Sequence, residues 1–178
     1  MSLLGFAARN HPQQDAQAAV DDRATDPQFF AQLDMTYRFT VDVAASAHNT
    51  KCVRYFDVEA NGLEQSWSGE SVWCNPPFSR LRPWVEKAWR ECDVAERIVM
   101  LLPANRTEQS FWQELVEPYR DAGNGLTTRF VNGRLRFAAA GRSHIGSNER
   151  PPFGCVLLVW EPPVLCRPVL GAEQVRLA

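Results

Sequence analysis

The chain has 178 residues, of which 45% are hydrophobic and 22% are charged, and these are ordinary proportions for one soluble globular domain. No apolar run approaches the roughly 20 residues that a membrane-spanning helix needs, and the first residues lack the basic start and long apolar core of a secretion signal. The formal net charge of −2 does not point to a nucleic-acid binder, although a local arginine patch matters more than the total.

The cysteines are odd in number, at five, and no two of them form a Cys-x-x-Cys pair. Neither a zinc site nor a disulfide framework is indicated by this spacing. Reduced thiols are the expected state, as in most cytoplasmic proteins. We therefore expect a cytoplasmic protein without a metal ion.

The two ends of the chain differ in composition from the middle. Residues 1–24 are polar and rich in Gln, Asp and Ala, which predicts a flexible arm. Prolines at positions 162, 163 and 168 predict an extended tail over 162–178. The globular domain is therefore expected over 25–161.

Strand and helix patterns alternate along this domain. Thr25-Asp26-Pro27 predicts a helix start, because a capping residue precedes a proline in the first turn. Helices are also predicted from Pro83 and over 110–116. Strands are predicted over 39–41, 53–56, 71–74, 97–102 and 155–160, and a hairpin over 128–131 and 134–137 around the Asn132-Gly133 turn.

This alternation predicts an α/β fold. Asp42, Asp57 and Asn75 each follow a predicted strand. Ligands bind at the carboxyl edge of open α/β sheets, so three polar residues converging there indicate a cofactor-dependent enzyme.

The segment Asn75-Pro76-Pro77-Phe78 predicts a rigid corner after the third strand. Proline fixes φ and lacks an N–H, so neither a helix nor a sheet ladder continues through it. The corner presents an amide, backbone carbonyls and an aromatic face, which suit a planar molecule with an amino group. Taken alone, the motif also fits a plain turn after a strand.

The amine of a nucleobase is a poor nucleophile, because its lone pair is delocalised into the ring. The groups at the corner could make this amine more reactive. The side-chain oxygen of Asn75 and the carbonyl of Pro76 could each accept one N–H of that amine. Acceptors placed where positive charge grows on the nitrogen would stabilise the transition state. Phe78 would stack on the base. A base in a duplex would have to be flipped out to reach the site.

The corner matches the Asn-Pro-Pro-Phe/Tyr signature of amino-methyltransferases, and the chain as a whole resembles the phage-type DNA N6-adenine methyltransferases, the phage Dam family. The resemblance runs from about residue 25 to residue 160. The motifs that carry it together are Thr25-Asp26-Pro27-Gln28-Phe29-Phe30, Phe39-Thr40-Val41-Asp42-Val43-Ala44-Ala45-Ser46, Arg54-Tyr55-Phe56, Asn61-Gly62-Leu63, Trp73-Cys74-Asn75-Pro76-Pro77-Phe78, Pro83-Trp84-Val85, Leu102-Pro103-Ala104 and Phe130-Val131-Asn132-Gly133-Arg134-Leu135-Arg136-Phe137.

The resemblance implies a Rossmann-like methyltransferase fold, a mostly parallel sheet with helices on both faces, S-adenosylmethionine as methyl donor and adenine in DNA as acceptor. It implies that Asn75, Pro76, Pro77 and Phe78 form the catalytic motif. The residues that it implies for cofactor binding are Asp42, Ala44, Ser46, Asp57, Thr25 and Pro27. The chain departs from the broader methyltransferase pattern because Ala44, Ala45 and Ser46 replace a Gly-x-Gly loop.

Arginines near the corner and the predicted hairpin suggest a path for DNA. We expect Arg80, Arg106 and Arg134 to bind phosphate as a group. Alternatives are the same chemistry on cytosine N4, RNA adenine or a protein amide, and an inactive DNA-binding relative. A phage or prophage origin, with a role in restriction-modification, is suggested by the resemblance alone.

Overall fold

The computed structural model describes residues 21, 24–123, 125–138, 151–164 and 168. The predicted arm over 1–24 and tail over 162–178 lie largely outside these residues, so both stay predictions. Within the described residues, no helix is long and apolar enough to cross a membrane.

The predicted alternation of helices and strands is observed. The elements in chain order are β1 (Ala24–Thr25), α1 (Pro27–Tyr37), β2 (Val41–Asp42), β3 (Arg54–Tyr55), β4 (Ser71–Cys74), α2 (Leu81–Glu91), β5 (Arg97–Pro103), α3 (Ser110–Leu115), β6 (Leu126–Phe130), β7 (Phe137–Ala138) and β8 (Cys155–Trp160). β2 and β3 are shorter than predicted, and α2 begins two residues before Pro83.

Helix α1 begins as its sequence predicts. The side chain of Asp26 accepts hydrogen bonds from the backbone N–H groups of Gln28, at 2.8 Å, and Phe29, at 3.3 Å. Pro27 occupies the first helical position, where its missing N–H costs nothing. A local cap and a local proline therefore fix this boundary.

Six strands form one sheet in the order β3-β2-β4-β5-β8-β6. The pairings among β3, β2, β4 and β5 are parallel. Strand β8 is antiparallel to both of its neighbours, β5 and β6. The predicted α/β class is confirmed, but the sheet is mixed. The expected parallel pairing holds for the four strands β3, β2, β4 and β5, and not for β8 and β6.

The side chains of β5 divide the core into two layers. Ile98, Met100 and Leu102 pack in one cluster with residues of α2 and α3. Val99 and Leu101 pack in the other cluster with Phe30 and Tyr37 of α1. Alternate residues of a strand face opposite sides of its sheet, so the helices cover both faces, as expected.

The predicted hairpin around Asn132-Gly133 is wrong. Strand β6 pairs with β8 instead, and β7 pairs with β1 in a separate two-stranded sheet. Gly133 does adopt a positive φ of 72°, as a turn requires. Strand β6 pairs with the apolar strand β8, which is fully buried. Leu135 and Phe137 pack in the same core cluster as Phe30 and Tyr37 of α1. Burial of these side chains outweighs the local turn signal.

Candidate active site

The sheet changes direction between β2 and β4. The chain passes from β2 to its neighbour β3 on one side, and β4 then pairs with the opposite edge of β2. Such a switch leaves a crevice at the carboxyl ends of the strands, where ligands bind in open α/β sheets. A cavity of about 560 Å³ lies at this point, and we call it the larger cavity because the one on the other side of Asn75 has about 170 Å³. Its lining includes Val43, Ala44, Ala45, Ser46, Asn49, Phe56, Asp57, Val58, Asn61, Gly62, Leu63, Asn75, Pro77, Arg80, Trp84 and Asp21.

The backbone after β2 forms one wall of the larger cavity. The N–H of Val43 donates to the carbonyl of Trp73 at 3.0 Å, and the N–H of Ala45 donates to the carbonyl of Phe56 at 3.1 Å. These bonds hold the segment between the neighbouring strands. Small side chains at positions 44 and 45 leave the backbone open to a ligand.

Asp42 lies beneath this wall and is absent from the lining of the larger cavity. The residue is 3% exposed, and its carboxylate accepts hydrogen bonds from the N–H groups of Ala44, at 3.4 Å, and Lys51, at 3.0 Å. Burial raises the pKa of Asp42 to about 6, although both backbone N–H groups act in the opposite direction. Asp42 therefore holds the wall in place from behind, and its predicted contact with a cofactor stays a prediction.

Gly62 closes the opposite wall, and the sequence pointed to it only within the Asn61-Gly62-Leu63 motif. A Cβ at this position would lie 1.9 Å from the carbonyl oxygen of Val43. The carbonyl of Gly62 also accepts a hydrogen bond from the buried indole of Trp67, at 3.0 Å. Only glycine allows the two backbone segments to approach this closely.

Asp57 lies on the rim of the larger cavity, beyond the end of β3. One carboxylate oxygen accepts a hydrogen bond from the N–H of Ala60 at 2.8 Å, which holds the turn. The same side chain lines the cavity beside Phe56 and Val58. Asp57 thus combines a structural contact with access to a ligand.

A second, smaller cavity of about 170 Å³ lies on the other side of Asn75. Its lining is Asp21, Asn75, Pro76, Phe78, Phe137, Pro151, Pro152 and Phe153. The ring of Phe78 meets those of Phe137 and Phe153 edge to face, with centroids 6.0 Å apart in each pair. The sequence predicted Asn75, Pro76 and Phe78, whereas Asp21, Phe137 and Phe153 come from distant parts of the chain.

The corner after β4 separates the two cavities. Pro77 lines the larger cavity, and Pro76 and Phe78 line the smaller one. Asn75 lines both. A group bound in one cavity would therefore meet a group bound in the other at Asn75.

Three arginines, Arg80, Arg82 and Arg106, line a third depression next to the corner. Arg82 pairs with Glu86 at 3.0 Å and with Glu114 at 2.5 Å. The Nε of Arg106 is buried and has no hydrogen-bond partner.

Three other predicted residues lie apart from the larger cavity. Arg134 is exposed beyond β6 and lines none of the three depressions. Thr25 is buried in β1 opposite Phe137, and Pro27 is exposed at the start of α1. Neither Thr25 nor Pro27 lines the larger cavity, and their predicted role in cofactor binding stays a prediction.

The α/β sheet and its flanking helices are consistent with a methyltransferase fold. Residues 13–170 match the model of the family described as DNA N-6-adenine-methyltransferase (Dam). The chain therefore belongs to this family, and the resemblance drawn from its motifs is confirmed.

Two curated relatives carry the same name, DNA N-6-adenine-methyltransferase. The protein of Escherichia phage T1 is 32% identical over 109 residues, which cover 60% of this chain and 46% of the relative. The protein of Haemophilus phage HP1 (strain HP1c1) is 32% identical over 73 residues, which cover 41% of this chain and 42% of the relative. The chain thus spans less than half the length of the curated relatives it matches.

Proposed function

We propose that the protein transfers a methyl group from S-adenosylmethionine to the exocyclic N6 amine of adenine in DNA. The observation that carries this proposal is the position of Asn75, which lines both the larger and the smaller cavity. A methyl donor in one and an amine in the other would be held against a single amide. Such positioning lowers the barrier of a bimolecular step.

The larger cavity fits the donor. Its volume of about 560 Å³ lies within the usual range for small-molecule sites. Asp57 would accept hydrogen bonds from ribose hydroxyls, and Phe56 and Val58 offer apolar contact for a purine ring. Ala44, Ser46 and the wall at Gly62 would let the ligand approach the backbone. When bound, S-adenosylmethionine supplies an electrophilic methyl group.

The smaller cavity fits one nucleobase. Three phenylalanine rings surround it, and aromatic rings stack well on flat bases. Its volume of about 170 Å³ suits one base and not a base pair, so a duplex adenine would have to flip out.

Asn75 and Pro76 would perform the chemistry on the amine. The side-chain oxygen of Asn75 and the backbone carbonyl oxygen of Pro76 would each accept one N–H of N6, and together they would favour a tetrahedral nitrogen. Both acceptors then stabilise the positive charge that develops on N6. Phe78 would hold the base in plane against these acceptors.

The DNA backbone would cross the third depression, which is lined by Arg80, Arg82 and Arg106. The buried, unpartnered Nε of Arg106 and the exposed side chain of Arg80 offer positive charge for a phosphate close to the corner. Arg134 would add a more distant phosphate contact.

We also infer a Rossmann-like arrangement, because the larger cavity lies at the switch point of a sheet covered by helices on both faces. Action in a bacterial cytoplasm, on phage DNA exposed to restriction, stays a prediction.

The test is transfer of labelled methyl from S-adenosylmethionine to unmethylated DNA, followed by digestion and nucleoside analysis. Label in N6-methyl-2′-deoxyadenosine from the digested DNA would support the proposal, and DNA already methylated at its adenines should take up none. Label in N4-methylcytosine, in RNA or in protein would move the activity to another acceptor. Donor binding without any transfer would identify an inactive relative.

A further inference from the structure

Asp21 lies at the junction of the two cavities. Like Asn75, it lines both the larger and the smaller one. Its carboxylate accepts hydrogen bonds from the N–H of Ser79, at 3.2 Å, and from the hydroxyl of Ser79, at 2.5 Å. Ser79 directly follows Phe78, so Asp21 is held against the end of the catalytic motif from a separate part of the chain.

The proposed reaction needs a group that can take up a proton. Transfer of a methyl group to N6 leaves this nitrogen with four bonds and a positive charge, and the sulfonium donor becomes a neutral thioether. One N–H proton must then leave to restore the neutral amine. An amide such as that of Asn75 accepts a hydrogen bond but is not a base.

Among the described residues that line the smaller cavity, Asp21 is the one ionisable side chain. The other charged groups that share a cavity with Asp21 are Asp57 and Arg80, which line the larger cavity and not the smaller one. The remaining lining of the smaller cavity is Asn75 and the apolar side chains of proline and phenylalanine. A proton that leaves N6 inside this cavity therefore has, in the described part of the chain, one carboxylate to receive it.

We propose that Asp21 is a catalytic residue that stabilises the positive charge on N6 and accepts its proton. This inference rests on the proposed function. As the N6–H bond breaks, its electron pair returns to the nitrogen, and an O–H bond forms on Asp21. The carboxylic acid then gives the proton to water when the product leaves. The two hydrogen bonds from Ser79 hold the carboxylate in place.

The test compares Asp21→Asn with Ser79→Ala in single-turnover methyl transfer. Asp21→Asn keeps the shape and a hydrogen-bond acceptor for Ser79 but cannot take a proton. Its rate should fall by about 100-fold or more, as is typical for the loss of a positioned base. Ser79→Ala leaves the carboxylate and one of its two hydrogen bonds, and should lose far less. Donor and DNA affinities, measured by titration, should stay within a few-fold for both variants.

A full rate for Asp21→Asn, or an equal loss of rate in Ser79→Ala, would overturn the role of Asp21. Absence of methyl transfer by the wild type would instead overturn the proposed function.

Discussion

Gly62→Ala should damage the donor site and the fold together. The new Cβ would lie 1.9 Å from the Val43 carbonyl oxygen, whereas ordinary contact begins at 3.4 Å, so the backbone must shift by about 1.5 Å. The Val43 segment has little freedom to move, because its N–H is bonded to Trp73 and its side chain is fully buried. Overpacking of this kind costs about 1–3 kcal/mol of unfolding free energy.

The shifted wall is also the surface on which the donor would lie. A displacement of about 1 Å in a site can cost 100-fold in rate, so we expect donor affinity to fall at least about tenfold. Calorimetric titration with S-adenosylmethionine measures this affinity, and urea unfolding measures the stability.

Gly154→Ala is the matched control, because a Cβ at Gly154 meets nothing within 4 Å and its backbone needs no positive φ. It should change stability by less than about 1 kcal/mol and leave donor affinity intact. A Gly62→Ala protein that binds the donor as tightly as the wild type would refute the close approach of Gly62 and Val43 as a wall of the donor site.

Further predictions concern the base, the DNA backbone and the buried carboxylate. Phe78→Ala should lose about 1–3 kcal/mol in kcat/KM for DNA, the usual value of an aromatic–base stack, and Phe78→Tyr should keep most activity; a dead tyrosine variant would argue against stacking. Arg106→Ala should lower the slope of log DNA affinity against log salt concentration by about one unit. Arg82→Ala should change this slope less, because Arg82 is paired with two glutamates. Equal slopes for the two variants would contradict a phosphate contact at Arg106. The pKa of Asp42 rises from 3.8 to about 6 in the folded protein, so its stabilising contribution is present at low pH and is lost as pH rises through 6. From pH 4 to pH 7, the wild type should therefore lose about 2 kcal/mol more stability in urea unfolding than Asp42→Asn does, and parallel pH curves would refute this.

Features set by neighbouring residues could be predicted from the sequence. The start of α1 follows from Asp26 and Pro27, which act within one turn. The apolar run of β4 and the prolines after it fix the corner at Asn75 in the same way. The polar ends of β2, β3 and β4 were also predicted to meet, because parallel strands share one carboxyl edge.

Features that depend on distant partners could not be predicted in this way. The Asn132-Gly133 turn signal is local, but the pairing of β6 was decided by β8, more than 20 residues further along the chain. Phe137 and Phe153 line the smaller cavity together with Phe78, and no spacing in the sequence predicts that these three rings are close. The orientation of Asp42 also depends on packing, since its carboxylate turned towards backbone N–H groups rather than towards the cavity.

Asn75 is proposed to hold the methyl donor and the acceptor amine together, and the single-turnover rate of Asn75→Ala measures this role. Donor and DNA affinities are measured on the same preparation, so that a loss of rate can be assigned to chemistry. We expect both affinities to stay within a few-fold of the wild type. The rate of N6-methyladenine formation should fall by about 100-fold to 1000-fold, the usual effect of removing one positioned group that stabilises a transition-state charge. A rate within tenfold of the wild type would contradict this role of Asn75.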